Sequence, residues 1–175
     1  MRDAQIKPIL QKWIIAATGL PDNKVVYANQ NGPRPAFPYV TVHVTAKSDM
    51  GWADISVPDT DGVAEINNDR MVSISLQALG SGAMSLMETL RDDLERPTSL
   101  QQFRGAGLPF IRVLNDVNDL TTVVGTKYEE RAGMDLEFRT AVQLTDEVGL
   151  IEAVTGESQI NSEIKEVILT YETGV

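Results

Sequence analysis

Met134-Asp135-Leu136-Glu137-Phe138-Arg139-Thr140-Ala141-Val142-Gln143-Leu144 alternates outward and inward side chains without a break. Successive residues of a strand point to opposite faces, so Met134, Leu136, Phe138, Thr140, Val142 and Leu144 share one face and the polar set shares the other. A helix would scatter both sets around its axis. The stretch predicts a strand that is central or nearly so, with one buried and one wet side.

Working outward, the same period recurs. Val40, Val42, Val44 and Ala46 alternate with Thr41, His43, Thr45 and Lys47, and Val72, Ile74, Leu76 and Ala78 alternate with Ser73, Ser75 and Gln77. Val25-Val26-Tyr27 reads as a short strand and Phe110 to Leu114 as another. Two helical patterns interrupt them. Ile6, Ile9, Leu10, Trp13, Ile14 and Ala17 follow 3.6-residue spacing, with Gly19 where a C-terminal cap belongs. Pro8 implies a start near Ile6 or Lys7, where its missing N–H falls in the first turn and costs nothing. Met84, Met87, Leu90 and Leu94 form the second pattern, opened by Gly80-Ser81-Gly82 and ended by Pro97, and Thr98 with Gln101 fits a capping box for a short helical turn before Phe103. Residues 48–68 are irregular and read as a long hairpin arm or loop. From about residue 155 the chain is ambiguous: Ile160, Ile164, Val167 and Ile168 match a helix, yet 167–171 has strand composition. The order predicts an α+β fold, a mostly antiparallel sheet of about four to six strands with two main helices packed on one face. The polar sheet face is either solvated or pressed against another copy.

A chain of 175 residues suits one domain, taken as 1–155, with 156–175 as a C-terminal extension docking on a neighbour or on the domain itself. The absence of cysteine excludes disulfides and thiolate sites, and one histidine leaves little for a metal centre. No apolar run approaches the roughly 18 residues of a membrane span, and Met1-Arg2-Asp3-Ala4-Gln5 lacks a secretory pattern. We therefore expect a soluble protein without membrane contact, retained where it is made or carried off in an assembly.

Net charge is −10 and uneven: residues 1–50 hold six basic and three acidic groups, whereas 51–175 hold nine and twenty-two. Affinity for nucleic acid without sequence preference comes from Lys and Arg neutralising phosphates, so this body repels DNA. Repulsion suits a conduit through which a polyanion passes; the same acidity also serves plain solubility.

Asn31-Gly32-Pro33-Arg34-Pro35-Ala36-Phe37-Pro38 places three prolines in six residues directly before a strand. Each proline fixes its own φ and pushes its predecessor toward extended geometry, so the segment is a stiff loop. A loop that loses little entropy on docking makes a good contact element, with Arg34 and Phe37 as the two side chains on display. It reads equally as a rigid surface turn feeding a strand.

Catalytic constellations are sparse. His43 lies on a polar strand face with no second histidine to join it, which fits a hydrogen-bonded or solvated imidazole. Asp59-Thr60-Asp61-Gly62 misses the spacing of a calcium loop and its twelfth-position glutamate. Asp92-Asp93 and Glu129-Glu130 read as wet faces unless folding sets a second acid across a cleft. Gly80-Ser81-Gly82 and Gly105-Ala106-Gly107 lack the lysine of a phosphate loop and the third glycine of a dinucleotide fingerprint. We expect no enzyme, no cofactor and no metal.

Two segments carry a resemblance: Asn29 through Pro35 with Pro38-Tyr39-Val40-Thr41-Val42, and Gly125-Thr126-Lys127-Tyr128-Glu129-Glu130-Arg131-Ala132 leading into the Met134–Leu144 strand. Together with the N-terminal helix ending in Thr18-Gly19-Leu20, they resemble the neck or tail terminator proteins of long-tailed bacteriophages, with length and element order matching over roughly residues 1–155. The resemblance implies a virion subunit, assembled in the host bacterial cytoplasm, that forms a hexameric ring. That ring caps the tail tube protein, stops its polymerisation and docks the connector or neck proteins below the head; in a contractile tail it also seats the terminal sheath ring, and genomic DNA passes through unbound. On this reading the interface residues are Arg34, Pro35 and Phe37 in the loop, Trp52 in the arm, and Arg131 paired with a carboxylate of the same or a neighbouring subunit. Asp54, Asp59 and Asp61 are the candidate acidic lumen. Alternatives are a head-completion protein of the neck and a carboxylate-based hydrolase.

Overall fold

Helix α1 runs Asp3–Thr18, earlier than Pro8 suggested. The Gln5 side chain accepts the Arg2 N–H at 2.8 Å, which caps the added turn, and Pro8 forfeits only a bond to the exposed Ala4 carbonyl. Gly19 ends the helix in the left-handed region at φ 71°, its N–H on the Ile15 carbonyl. After a 3-10 turn at Asp22–Lys24 come β1 (Val25–Tyr27), β2 (Tyr39–Asp49), β3 (Asp54–Ile55) and β4 (Val63–Leu79). Then follow α2 (Ala83–Asp93), α3 (Pro97–Gly105), β5 (Phe110–Asp119), a small hairpin of β6 (Thr122–Val124) and β7 (Lys127–Glu129), β8 (Arg131–Glu147), and β9 (Ala153–Ile160) with β10 (Glu163–Thr170). The computed structural model describes residues 1–150, 153–160 and 163–170; the last part of the C-terminal extension, 171–175, lies outside the described residues.

The main sheet is α+β in character, with order β1-β2-β4-β8-β5 and β3 pairing the start of β4. The β1–β2 pair is parallel, whereas β2–β4, β3–β4 and β5–β8 are antiparallel. Two compact units divide the chain, Met1–Trp52 with Asn68–Val142 and Ala53–Asn67 with Gln143–Val175. Charge divides with them. The first unit holds fourteen basic and fourteen acidic residues, and the second holds eleven acidic residues against Lys165 alone.

In the first unit α1 packs on β1, β2 and α2, while α2 and α3 pack on β5. Ile6, Leu10, Trp13 and Ile14 of α1, Met87 and Leu90 of α2, and Phe103 of α3 bury against Val40, Val42, Ile74, Leu76, Met134, Leu136 and Phe138. Trp13, Phe103 and Phe138 are fully buried and meet edge to face at 5.2 and 5.1 Å, pairs worth about 0.5–1.5 kcal/mol each beyond their area.

Several expectations need correcting. Pro97 opens a third helix instead of ending the second, because at the first helical position its missing N–H is not needed. Thr98 and Gln101 therefore sit inside α3, which has no side-chain cap, and no capping box forms. The alternation of β2 breaks at a register shift between Val44 and Ala46, and Ala46 is exposed. In β8 burial persists to Thr140, but Val142 is half-buried and Leu144 exposed. The hairpin arm expected over residues 48–68 is present and is partly strand: β4 extends back to Val63, with Asp54↔Asn67 and Ile55↔Ile66 in antiparallel register. Near the C-terminus, the helix reading of Ile160–Ile168 fails; β9 and β10 pair antiparallel from Ala153↔Thr170 to Glu163↔Ile160.

Candidate functional site

The proline loop folds down on its own domain. Phe37 stacks on Tyr39 with ring centroids 5.7 Å apart, and the Arg34 guanidinium lies over the Phe37 ring at 4.7 Å. Arg34 Nε donates to the Tyr39 hydroxyl at 2.8 Å, and Arg34 NH2 donates to the Glu129 carboxylate at 2.5 Å. Lys24 Nζ donates to the Ala36 carbonyl. The loop is thus fastened at three points. Pro35 is half-buried, while Arg34 and Phe37 stay about half exposed, each at 47%.

Glu129 is the hub. It sits at the end of β7 and also accepts from Arg131 NH2 at 3.1 Å, so one carboxylate joins the loop to the β6–β7 hairpin and the first residue of β8. The hydrogen bond from Arg34 is the chief cause that holds the Glu129 carboxyl below the usual range, reinforced by Arg131 against the opposing pull of burial. The same bond, followed by that from Tyr39, raises the Arg34 guanidinium further above its usual value. Glu130 faces the other way: its carbonyl accepts the Gly80 N–H and its carboxylate accepts the Gly82 N–H, both at 2.9 Å, at the start of α2 where the helix dipole favours an anion. Gly80, at φ 101°, lies so close to the loop that a Cβ there would come within 2.6 Å of the Phe37 Cβ.

These elements enclose a cleft of about 390 Å³ bounded by Phe37, Gly80, Ser81, Val124, Lys127, Tyr128, Glu129 and Glu130. Tyr128 is 81% exposed and Val124 half exposed, an apolar rim on a fixed frame. Lys127 has no ion-pair partner among the described residues.

The family follows from the sequence. A profile of the phage neck terminator protein matches residues 4–163, more than nine-tenths of the chain. The chain belongs to that family. As a phage neck terminator it is a structural component of the neck, and so of the virion, that works among other tail and head–tail proteins. No curated protein matches it.

In this neck terminator the residues expected from sequence fall in different places. Arg34, Pro35, Phe37 and Arg131 come together around Glu129, with Arg131 paired inside the same chain. Trp52 stands apart, fully exposed. Asp54, Asp59 and Asp61 are exposed in the second unit, where Asp59 Oδ1 accepts the Asp61 and Val63 N–H groups and so shapes the turn at Gly62. Among the described residues no cluster of His, Cys, Asp or Glu could hold a metal ion, and no helix is long and apolar enough to cross a membrane.

The two carboxylate pairs are not simply wet faces. Asp93 is buried, accepting from Trp13 Nε1 and Ser99 Oγ, and Glu129 is largely enclosed by its arginines. The sequence did not mark Tyr39, Gly80 or Glu129 as partners of the loop, and the Arg34–Glu129 bond spans 95 positions, which no local pattern marks.

Proposed function

We propose that this neck terminator assembles into a ring of six copies that caps the last layer of the tail tube, halts tube growth and offers a docking face to the head connector. The mechanism is shape complementarity: one ring face reproduces the bonding surface of a tube subunit and the opposite face does not, so polymerisation stops after one layer. The observation that carries this reading is the clamped proline loop. Three fastening points and a stacked Phe37–Tyr39 pair hold a half-exposed arginine and phenylalanine in a fixed pose, so docking orders little that is not already ordered. Trp52 adds an exposed aromatic anchor of the kind that dominates interface energetics.

Asp54, Asp59 and Asp61 are proposed to face the bore, where like charge lets genomic DNA slide without sticking. In a contractile tail the same ring would seat the last sheath layer. The role is structural, a reading supported by the carboxylates of Asp93, Glu129 and Glu130 being taken up in internal hydrogen bonds. Electron micrographs of particles made without this protein test the proposal. Overlong, headless tubes are expected, and tubes of normal uniform length would overturn it.

A further inference from the structure

Asn31 is the one asparagine of this chain that precedes a glycine. Asparagine is thermolabile because the backbone nitrogen that follows it can attack its side-chain amide carbon, and a glycine there, having no Cβ, leaves the approach and the backbone angles open. In a folded protein the reaction needs that nitrogen free and the segment able to bend. Both conditions hold at Asn31. Among the described residues neither the Gly32 N–H nor the Asn31 side chain has a hydrogen-bond partner, both residues are exposed, and nothing stands within 4 Å of where a Cβ on Gly32 would lie. Asn29 is tied to His43 at 3.2 Å and the fastened part of the proline loop begins at Arg34, so Gln30 to Pro33 span two anchors with no fastening of their own. Asp61-Gly62, the chain's one aspartate–glycine pair, has the opposite surroundings. The Gly62 N–H donates to the Asp59 carbonyl at 3.0 Å, Gly62 is buried, and a Cβ on it would come within 2.9 Å of the Gly149 Cα.

We infer that Asn31 is a self-modification site, deamidating in the folded protein, while Asp61 is held inert by its surroundings. The Gly32 nitrogen gives its proton to hydroxide and bonds to the Asn31 Cγ; the bond from Cγ to the side-chain nitrogen breaks, and ammonia leaves. Water then opens the resulting cyclic imide at either carbonyl, returning aspartate or isoaspartate. No other reactant is needed. Each event adds one negative charge to a chain already at −10, and the isoaspartate product also adds one atom to the main chain. Both changes fall three residues ahead of Arg34, the residue that joins the loop to Glu129.

The test ages the purified full chain in water enriched in heavy oxygen, at neutral and at mildly alkaline pH, with and without urea, and then maps its peptides by mass spectrometry after digestion in ordinary water. Conversion at Asn31 is expected to carry the solvent's heavy oxygen, to speed up at alkaline pH, and to run in the folded protein no more than tenfold below its rate in urea. Asn67, held in β4, is expected to convert at least tenfold more slowly than Asn31 in the folded protein, and Asp61 to isomerise only in urea. Gly32→Ala fits the open space at an ordinary φ, so it is expected to keep the circular dichroism and slow conversion at least tenfold. A folded-state rate more than tenfold below that in urea, or no faster than that of Asn67, overturns the inference. So does a Gly32→Ala protein that converts as fast as the wild type.

Discussion

The indole Nε1 of Trp13 donates a 2.8 Å hydrogen bond to Oδ2 of Asp93, a buried pair that joins α1 to the end of α2. The same oxygen accepts from Ser99 Oγ at 2.6 Å, and Oδ1 lies 3.3 Å from Arg96 NH1, so the start of α3 is held as well. Removing this acceptor strands two buried donors. Asp93→Ala is expected to destabilise the protein by about 3 kcal/mol, and Ser99→Ala by about 1 kcal/mol, read from urea denaturation midpoints with unchanged slopes.

Gly80 fixes how closely the proline loop can sit. Gly80→Ala places a methyl group 2.6 Å from the Phe37 Cβ and at a φ of 101° that side chains rarely adopt. We expect a loss of about 1–3 kcal/mol and faster amide exchange at Arg34, Ala36 and Phe37. Gly82→Ala, at φ 80° with nothing within 4 Å, carries backbone strain without the collision and leaves exchange in the loop unchanged.

Arg34→Ala with Phe37→Ala removes the two half-exposed side chains of the loop without touching the Trp13–Phe103–Phe138 core. The double variant is expected to keep the wild-type circular dichroism and to yield tails that fail to join heads in an assembly assay. Normal joining would remove the loop from the docking face.

Acid acts on the clamp through Glu129. Its carboxyl is held below the usual range in the folded state, chiefly by Arg34, so the folded state binds that proton later than the unfolded chain does. The stabilisation is complete above the ordinary glutamate range and is lost as pH falls through that range toward the lowered value. Loop amide protection will therefore hold steady from neutral pH down to the ordinary range and decline only in stronger acid. Glu129→Gln will lower protection at neutral pH and flatten this dependence.

What could be read from the chain was whatever repeats at short range. The alternation of Met134 to Thr140 names the core face of β8 correctly, and Gly19 marks the end of α1, because both depend on neighbours a few residues apart. Residues 63–71 escaped, since Glu65, Asn67, Asn68, Asp69 and Arg70 carry no apolar period; pairing with β3 and β2 makes them strand through backbone bonds that any side chain permits. Pro97 misled because one residue type both ends helices and begins them. The site was half legible: the prolines announced a stiff loop and its aromatic and arginine. Its fastening to Glu129, and the burial of Asp93, depend on contacts across 95 and 80 residues that leave no local trace.

The separation of charge between the two units gives ionic strength a double role. Unit one carries cations and anions in equal number and contributes little net repulsion between copies, whereas the acidic unit repels its counterparts over about 30 Å at 0.01 M salt and only about 8 Å at physiological salt. Raising salt from dilute to physiological levels is therefore expected to weaken repulsion between acidic units before it weakens close ion pairs, an outcome that light scattering of the purified protein across a salt series checks.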